Sequence, residues 1–148
     1  GEGVYIIGDE ATEAAHKAEL LSDEYYTEEF LAGQQEYVAH VVCGDSQVVF
    51  FQAMEYRYAE QYFVKSDRYA YEALEFINHD AFKPLFEKIL KALNFQGMGC
   101  FNYKLRDGEP VIFEFNPRCG GSIGLCLNEA LVAYSAALIN PKRLVSGA

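Results

Sequence analysis

The stretch GMGCFNYKLRDGEPVIFEFNPRCGGS, residues 97–122, decides how this chain is read. Two apolar-rich runs flank Arg106-Asp107-Gly108-Glu109, and Asp-Gly between such runs is a strong short-range signal for a hairpin turn. Successive side chains of a strand point to opposite faces. That alternation puts Cys100, Asn102 and Lys104 on one face of the first strand, and Ile112, Glu114 and Asn116 on one face of the second. The second strand then runs into Asn116-Pro117-Arg118 and a glycine pair, Gly120-Gly121, before Ser122.

These polar residues share a chemistry. Cross-strand neighbours sit about 5 Å apart at Cβ, so the oxygens of Asn102, Glu114 and Asn116 can converge on one ion. Carboxylate and carboxamide oxygens without sulfur or imidazole are hard ligands that suit Mg²⁺, and Mg²⁺ commonly completes its shell with water and phosphate oxygens. Arg118 supplies a planar fork matched to phosphate. Gly120-Gly121 would let the backbone approach the same anion. Taken singly, a Glu between aromatics is a solvent-facing alternate and an Asn-Pro is a turn. Taken together at one hairpin end, the four groups point to a site.

The rest of the composition sets limits. At 148 residues the chain is one domain's worth, long enough to bury roughly 70% of its unfolded surface. A net charge of −10 argues against a nucleic-acid partner, whose backbone selects basic proteins, but does not exclude a small anion held by local cations and N–H groups. Cys43, Cys100, Cys119 and Cys126 form no C-x-x-C pair, which disfavours a zinc site, and a chain with this much core-forming sequence does not call for a disulfide framework. No apolar run approaches the roughly 18 residues of a membrane helix, and the first residues carry no basic n-region. The expectation is therefore a soluble, cytoplasmic protein with reduced cysteines and no membrane partner.

Along the chain, residues 1–9 read as a short strand, and Thr12 as the N-cap of an Ala-rich helix. Residues 25–31 read as a second strand. Residues 36–58 form a hairpin about Gly44-Asp45-Ser46, and residues 59–71 a loop. From Asp80 to Asn94, Phe82, Leu85, Phe86, Ile89, Leu90 and Leu93 recur at helical spacing, with Pro84 in the first turn. Leu125 to Ile139 is an apolar helix closed by Asn140-Pro141. His40 reads as a core histidine.

Phe113-Glu114-Phe115-Asn116-Pro117-Arg118, with a hairpin strand before it and Gly-Gly-Ser after it, resembles the closing motif of the ATP-grasp superfamily. The NPR form is most similar to the carbamoyl-phosphate-synthetase-like branch. YTEEFLAGQQEYVAHVV, residues 26–42, resembles that family's hinge between two lobes. The resemblance implies an α+β ATP-grasp-like fold: an antiparallel sheet with helices packed on one face, and the N-terminal part of the fold missing. Residues 1–34 would be the end of the first subdomain plus the hinge strand, and residues 35–148 the second subdomain. The chain begins without Met, and GEG at residues 1–3 resembles the trailing part of the family's glycine-rich loop, so a fragment lacking the nucleotide-binding lysine strand is expected.

By the same resemblance the cofactors are ATP and Mg²⁺. Glu28 would accept from the adenine amino group, Glu29, Phe30 and Leu31 would offer backbone groups to the base, and Phe113 would pack on the purine. Glu36 would bind the ribose, although the extra residue in GQQE leaves Gln35 open for that position. Asn102, Glu114 and Asn116 would ligate the metal, Lys104 is a weaker phosphate candidate, and Arg118 would act on the transferring phosphate. The implied function is the ATP- and Mg-binding portion of a carboxylate-amine ligase that forms an acyl phosphate from a small carboxylate. The alternatives are a nucleotide-binding module without chemistry, or a structural remnant that pairs with a second copy through an open strand edge.

Overall fold

The computed structural model describes residues 3–45, 47–63 and 70–139. Five antiparallel strands form one sheet in the order β3-β2-β1-β4-β5. They are β1 (Gln35–Gly44), β2 (Gln47–Arg57), β3 (Ala73–Ile77), β4 (Gly97–Arg106) and β5 (Glu109–Asn116). Among the described residues four α-helices accompany them: α1 (Glu10–Ala15), α2 (Lys17–Leu20), α3 (Lys83–Ala92) and α4 (Leu127–Ile139). The hairpin β4–β5 turns at Asp107 and Gly108, both at positive φ (53° and 83°), as an Asp-Gly hairpin turn requires. Pro84 lies in the first turn of α3, where its missing N–H costs nothing.

β1 is the central strand, and all but its first residue are buried. Its sequence explains this, because a strand covered on both faces reads as a near-continuous apolar run. One face carries Tyr37, Ala39, Val41 and Cys43, packed with Phe101 and Tyr103 of β4 and with Phe86 and Leu90 of α3. The other carries Val38 and Val42, packed with Met54, Cys100, Ile123, Cys126 and Ala130. The last three belong to α4 and the segment leading into it, which includes a 3-10 turn at Gly121–Leu125. α3 and α4 therefore lie on opposite faces of the sheet rather than on one face as expected, because β1 is apolar at both its odd and its even positions.

Other expectations change too. Residues 3–8 are irregular, not strand, and so are residues 25–31. Both have strand-like composition, but neither has a neighbouring strand to complete its ladder among the described residues. The first helix is capped by Asp9, with Thr12 returning the bond in a capping box, so Thr12 sits one turn inside the helix. α4 begins at Leu127, after the 3-10 turn, and Asn140-Pro141 lie outside the described residues. β3 is a short edge strand that no sequence signal announced.

The glycine pair after β5 separates into two different roles. A Cβ on Gly120 would stand 2.9 Å from both Cys100 Sγ and His40 Cε1, so the turn can pass over β1 and β4 only without a side chain there. Gly120 has extended backbone (φ −80°, ψ 160°), so space rather than conformation demands the glycine. A Cβ on Gly121 would meet nothing within 4 Å. Gly120→Ala is predicted to lower the free energy of urea unfolding by about 1–3 kcal/mol through overpacking, and Gly121→Ala to change it by less than about 0.5 kcal/mol. Equal losses for the two would contradict this account of the pair.

Candidate functional site

A regular hairpin growing from the Asp107-Gly108 turn pairs Arg106 with Glu109, Leu105 with Pro110, Lys104 with Val111 and Tyr103 with Ile112, as observed. Continued without interruption it would pair Asn102 with Phe113 and turn Glu114 to the opposite face. Instead the register shifts between Asn102 and Tyr103, so that Asn102 faces Glu114 and Cys100 faces Asn116. Phe113 is the extra residue of a β-bulge, two residues of β5 standing against one of β4. Ile112 packs with the α3-side core, so it does not share a face with Glu114 as simple alternation predicts. Counting the pleat from Ile112 puts Phe113 on the Glu114 face, and the residue is 42% exposed.

The same face of β1 contributes Glu36, which is only 4% exposed. Asn102 Nδ2 donates to Glu36 Oε1 at 3.2 Å. An ionised carboxylate only accepts, so this contact fixes the amide with nitrogen toward Glu36 and Oδ1 on its other side. Gln35, one residue earlier, belongs to the opposite face. It hydrogen-bonds Glu55, where burial would raise the carboxyl, yet bonds from Gln35, Arg57 and Tyr37 outweigh that and hold it below the usual range. Of the two residues left open by the sequence, Glu36 shares the face of Asn102 and Glu114.

Lys104 closes the near end of this face. Its Nζ donates to the carbonyls of Leu31 (2.7 Å) and Gly33 (3.0 Å), and it lies 5.1 Å and 5.8 Å from the ring centres of Phe63 and Phe30. Burial pushes its pKa down, partly offset by the Glu36 charge. The amine is thus engaged by the segment 31–33. Around it, Glu29 pairs with Arg106 at 2.8 Å, and Phe30 stacks on Tyr62 with ring centres 5.8 Å apart. The Leu31 carbonyl, expected to face a base, already accepts from Lys104. Glu28 is exposed. Gly33 N–H bonds Gln61 O and Tyr58 N–H bonds Gln34 O, which tie the segment to the chain that follows β2.

At the far end, the turn after β5 is fixed by His40 and Ser122, both buried, with Nε2 and Oγ 2.8 Å apart. Arg118 is exposed, and its Nη1 donates to the Cys119 carbonyl at 3.2 Å. No group of three or more His, Cys, Asp or Glu side chains is placed to hold a metal among the described residues, so any ion here would depend on carboxamides as well as Glu114.

This architecture has solved counterparts. The structure of D-alanine–D-alanine ligase from Bacillus anthracis complexed with ATP superposes with a TM-score of 0.59 at 18% identity, over 92% of this chain and 48% of that one. A second structure of that enzyme gives 0.55 at 18% identity, over 93% and 49%. The ATP-grasp ligase PsnB, complexed with a minimal precursor, is also similar, with a TM-score of 0.49 at 20% identity. No family model and no curated protein matches the sequence. The chain has an ATP-grasp fold. It spans about half the length of the ligase chains it matches.

In this ATP-grasp fold the line Glu36–Asn102–Glu114 lies between the Lys104-bound segment and the His40-bound turn. Two of its features carried no sequence signal: the bulge, and the Glu36–Asn102 bond across 66 residues of chain. Ser122 was legible only as the end of a glycine turn, and its partner His40 only as an apolar-strand histidine. No helix among the described residues is long and apolar enough to cross a membrane.

His40 makes a pH-dependent contribution to stability. Its Nδ1 is buried without a hydrogen-bond partner among the described residues, and burial pushes its pKa down to about 4 from 6.5. The unfolded chain takes up a proton below pH 6.5 that the folded chain refuses until about pH 4. Stability is full above the unfolded value and falls as pH drops through that window, by about 3 kcal/mol in total. Urea unfolding at pH 7 and pH 4.5 is predicted to show a smaller acid loss in His40→Gln than in wild type. His79, also pushed down by burial, titrates in both proteins and cancels in the difference. Identical pH profiles would contradict the assignment.

Proposed function

We propose that this chain is the nucleotide-binding portion of an ATP-dependent ligase that activates a small carboxylate as an acyl phosphate. The observation that carries the reading is the bulge-shifted pair Asn102–Glu114, continued by Asn116, on an ATP-grasp sheet. The matched ligase was solved with ATP, and this chain's site face carries groups suited to the same ligand. Residues 1–34 and 35–148 are proposed as parts of two subdomains, with residues 28–31 as the hinge that receives the base. In this reading Phe113 packs against the purine and Glu36 accepts from the ribose hydroxyls. Arg118 offsets charge on the transferring phosphoryl group.

The donor set fits Mg²⁺. Glu114 supplies a carboxylate, Asn116 a carboxamide, and the Glu36 contact leaves the oxygen of Asn102 on the side away from Glu36. All are hard oxygens, with Glu114 the single formal charge among the three ligands. When bound, the ion would neutralise phosphate charge, and the protein's own task is to orient the nucleotide and keep the transferring group aligned. One charge on three ligands implies that the ion enters with the nucleotide's phosphates rather than alone.

A second reading, nucleotide binding without chemistry, is favoured by one observation: Lys104 is engaged by two backbone carbonyls rather than presented to a phosphate. Both readings require the site. Isothermal titration with Mg-ATP is predicted to show binding by wild type and at least a tenfold weaker association, about 1.4 kcal/mol, for Glu114→Ala and for Asn116→Ala. Equal affinity in wild type and variants, or no binding by any of them, would remove the site assignment.

A further inference from the structure

The Glu36–Asn102 contact has a role beyond filling hydrogen-bond capacity. Asn102 stands between Glu36 of β1 and Glu114 of β5, opposite Val38 and Glu114 in its two ladders. A carboxamide has one ligating end, its oxygen, and one donating end that repels a cation. Which end faces Glu114 is decided by what holds the other. Glu36, 4% exposed and 3.2 Å away, holds the nitrogen. Without that acceptor the amide could turn over and present N–H groups to the ion. An outer partner that fixes a ligand's orientation is worth about 10–100-fold in metal affinity where it has been removed.

We propose that Glu36 is a positioning residue of the metal face, holding Asn102 so that its oxygen is delivered beside Glu114, in addition to any contact with the sugar. The inference rests on the nucleotide–magnesium reading of the site. It makes the sugar end and the ion end of the ligand share one carboxylate. Inorganic tripolyphosphate, which has no sugar, separates the two functions.

The test is the affinity for the preformed Mn²⁺–ATP and Mn²⁺–tripolyphosphate complexes, read from the enhancement of water-proton relaxation when the complex binds protein. Wild type is compared with Glu36→Gln, Glu36→Asp and Glu36→Ala, each checked for a cooperative thermal melt. Glu36→Gln keeps an acceptor oxygen at full reach but loses the charge, whereas Glu36→Asp keeps the charge and withdraws it by one methylene. With tripolyphosphate, Glu36→Gln is expected to stay close to wild type, while Glu36→Asp and Glu36→Ala weaken binding of the Mn²⁺ complex about tenfold or more. If Glu36→Ala does not fold, the Gln and Asp variants alone decide.

Retention in Asp with loss in Gln would show that charge, not orientation, is at work, and would overturn the proposal. Four equal affinities with tripolyphosphate would overturn it as well, leaving Glu36 as a sugar contact at most. Wild type that binds neither complex would overturn the reading of the site itself, and this inference with it.

Discussion

One residue too many in β5 governs the candidate site. The Asp107-Gly108 turn sets a register that would place Glu114 on the α3 side of the sheet, against an aromatic core where an ionised carboxylate is costly. The skip at Phe113 reverses the parity of everything that follows. Glu114 and Asn116 cross to the face of Asn102, Phe115 takes the core position against Phe101 and Phe95, and Phe113 is left on the site face. Gly99 then becomes necessary, because a Cβ there would stand 2.8 Å from the Phe115 ring. The bulge, the aromatic core and the polar line are one solution to the same packing problem.

The second constraint comes from β1. A central strand covered on both faces has no water to satisfy its polar side chains, so each needs a specific partner. Glu36 has Asn102 and His40 has Ser122, and each bond reaches a different flank of the site. Lys104 does the same from β4: its ammonium, buried among Phe30 and Phe63, is stabilised by two carbonyls of the segment 31–33. The three contacts tie the segment 31–33, the strand pair and the post-β5 turn to a single sheet face. That is a rigid frame of the kind ligand positioning requires.

Much of the fold was legible in the sequence because the signals were local. The Asp-Gly turn marked the last hairpin, the run EYVAHVVC marked a strand of the first hairpin, and the helical spacing of Phe86, Ile89 and Leu90 marked α3, whereas the burial of β1 on both faces was not anticipated. Where composition alone was the guide it misled. Residues 3–8 and 25–31 are rich in strand-forming residues, but a strand exists only with a partner, and the segment around 31–33 is bound by a lysine side chain instead. The candidate residues Asn102, Glu114 and Asn116 were singled out by residue type and alternation, yet the register that sets Asn102 opposite Glu114 depends on a one-residue skip with no signature of its own. Lys104 was singled out by its even position on the strand, and nothing local reveals that it bonds backbone carbonyls 71 and 73 residues away.

The proposed function requires the bulge-shifted face of β4 and β5 to hold a divalent ion together with nucleotide phosphates. Paramagnetic broadening of backbone amide signals by Mn²⁺ in the presence of ATP tests it most directly. The strongest broadening is expected at Asn102, Glu114 and Asn116, fading toward α3 on the opposite face, with little effect at these residues when ATP is withheld. Broadening centred instead on exposed acids of the β3 edge such as Glu72 and Glu75, or broadening indifferent to ATP, would contradict it.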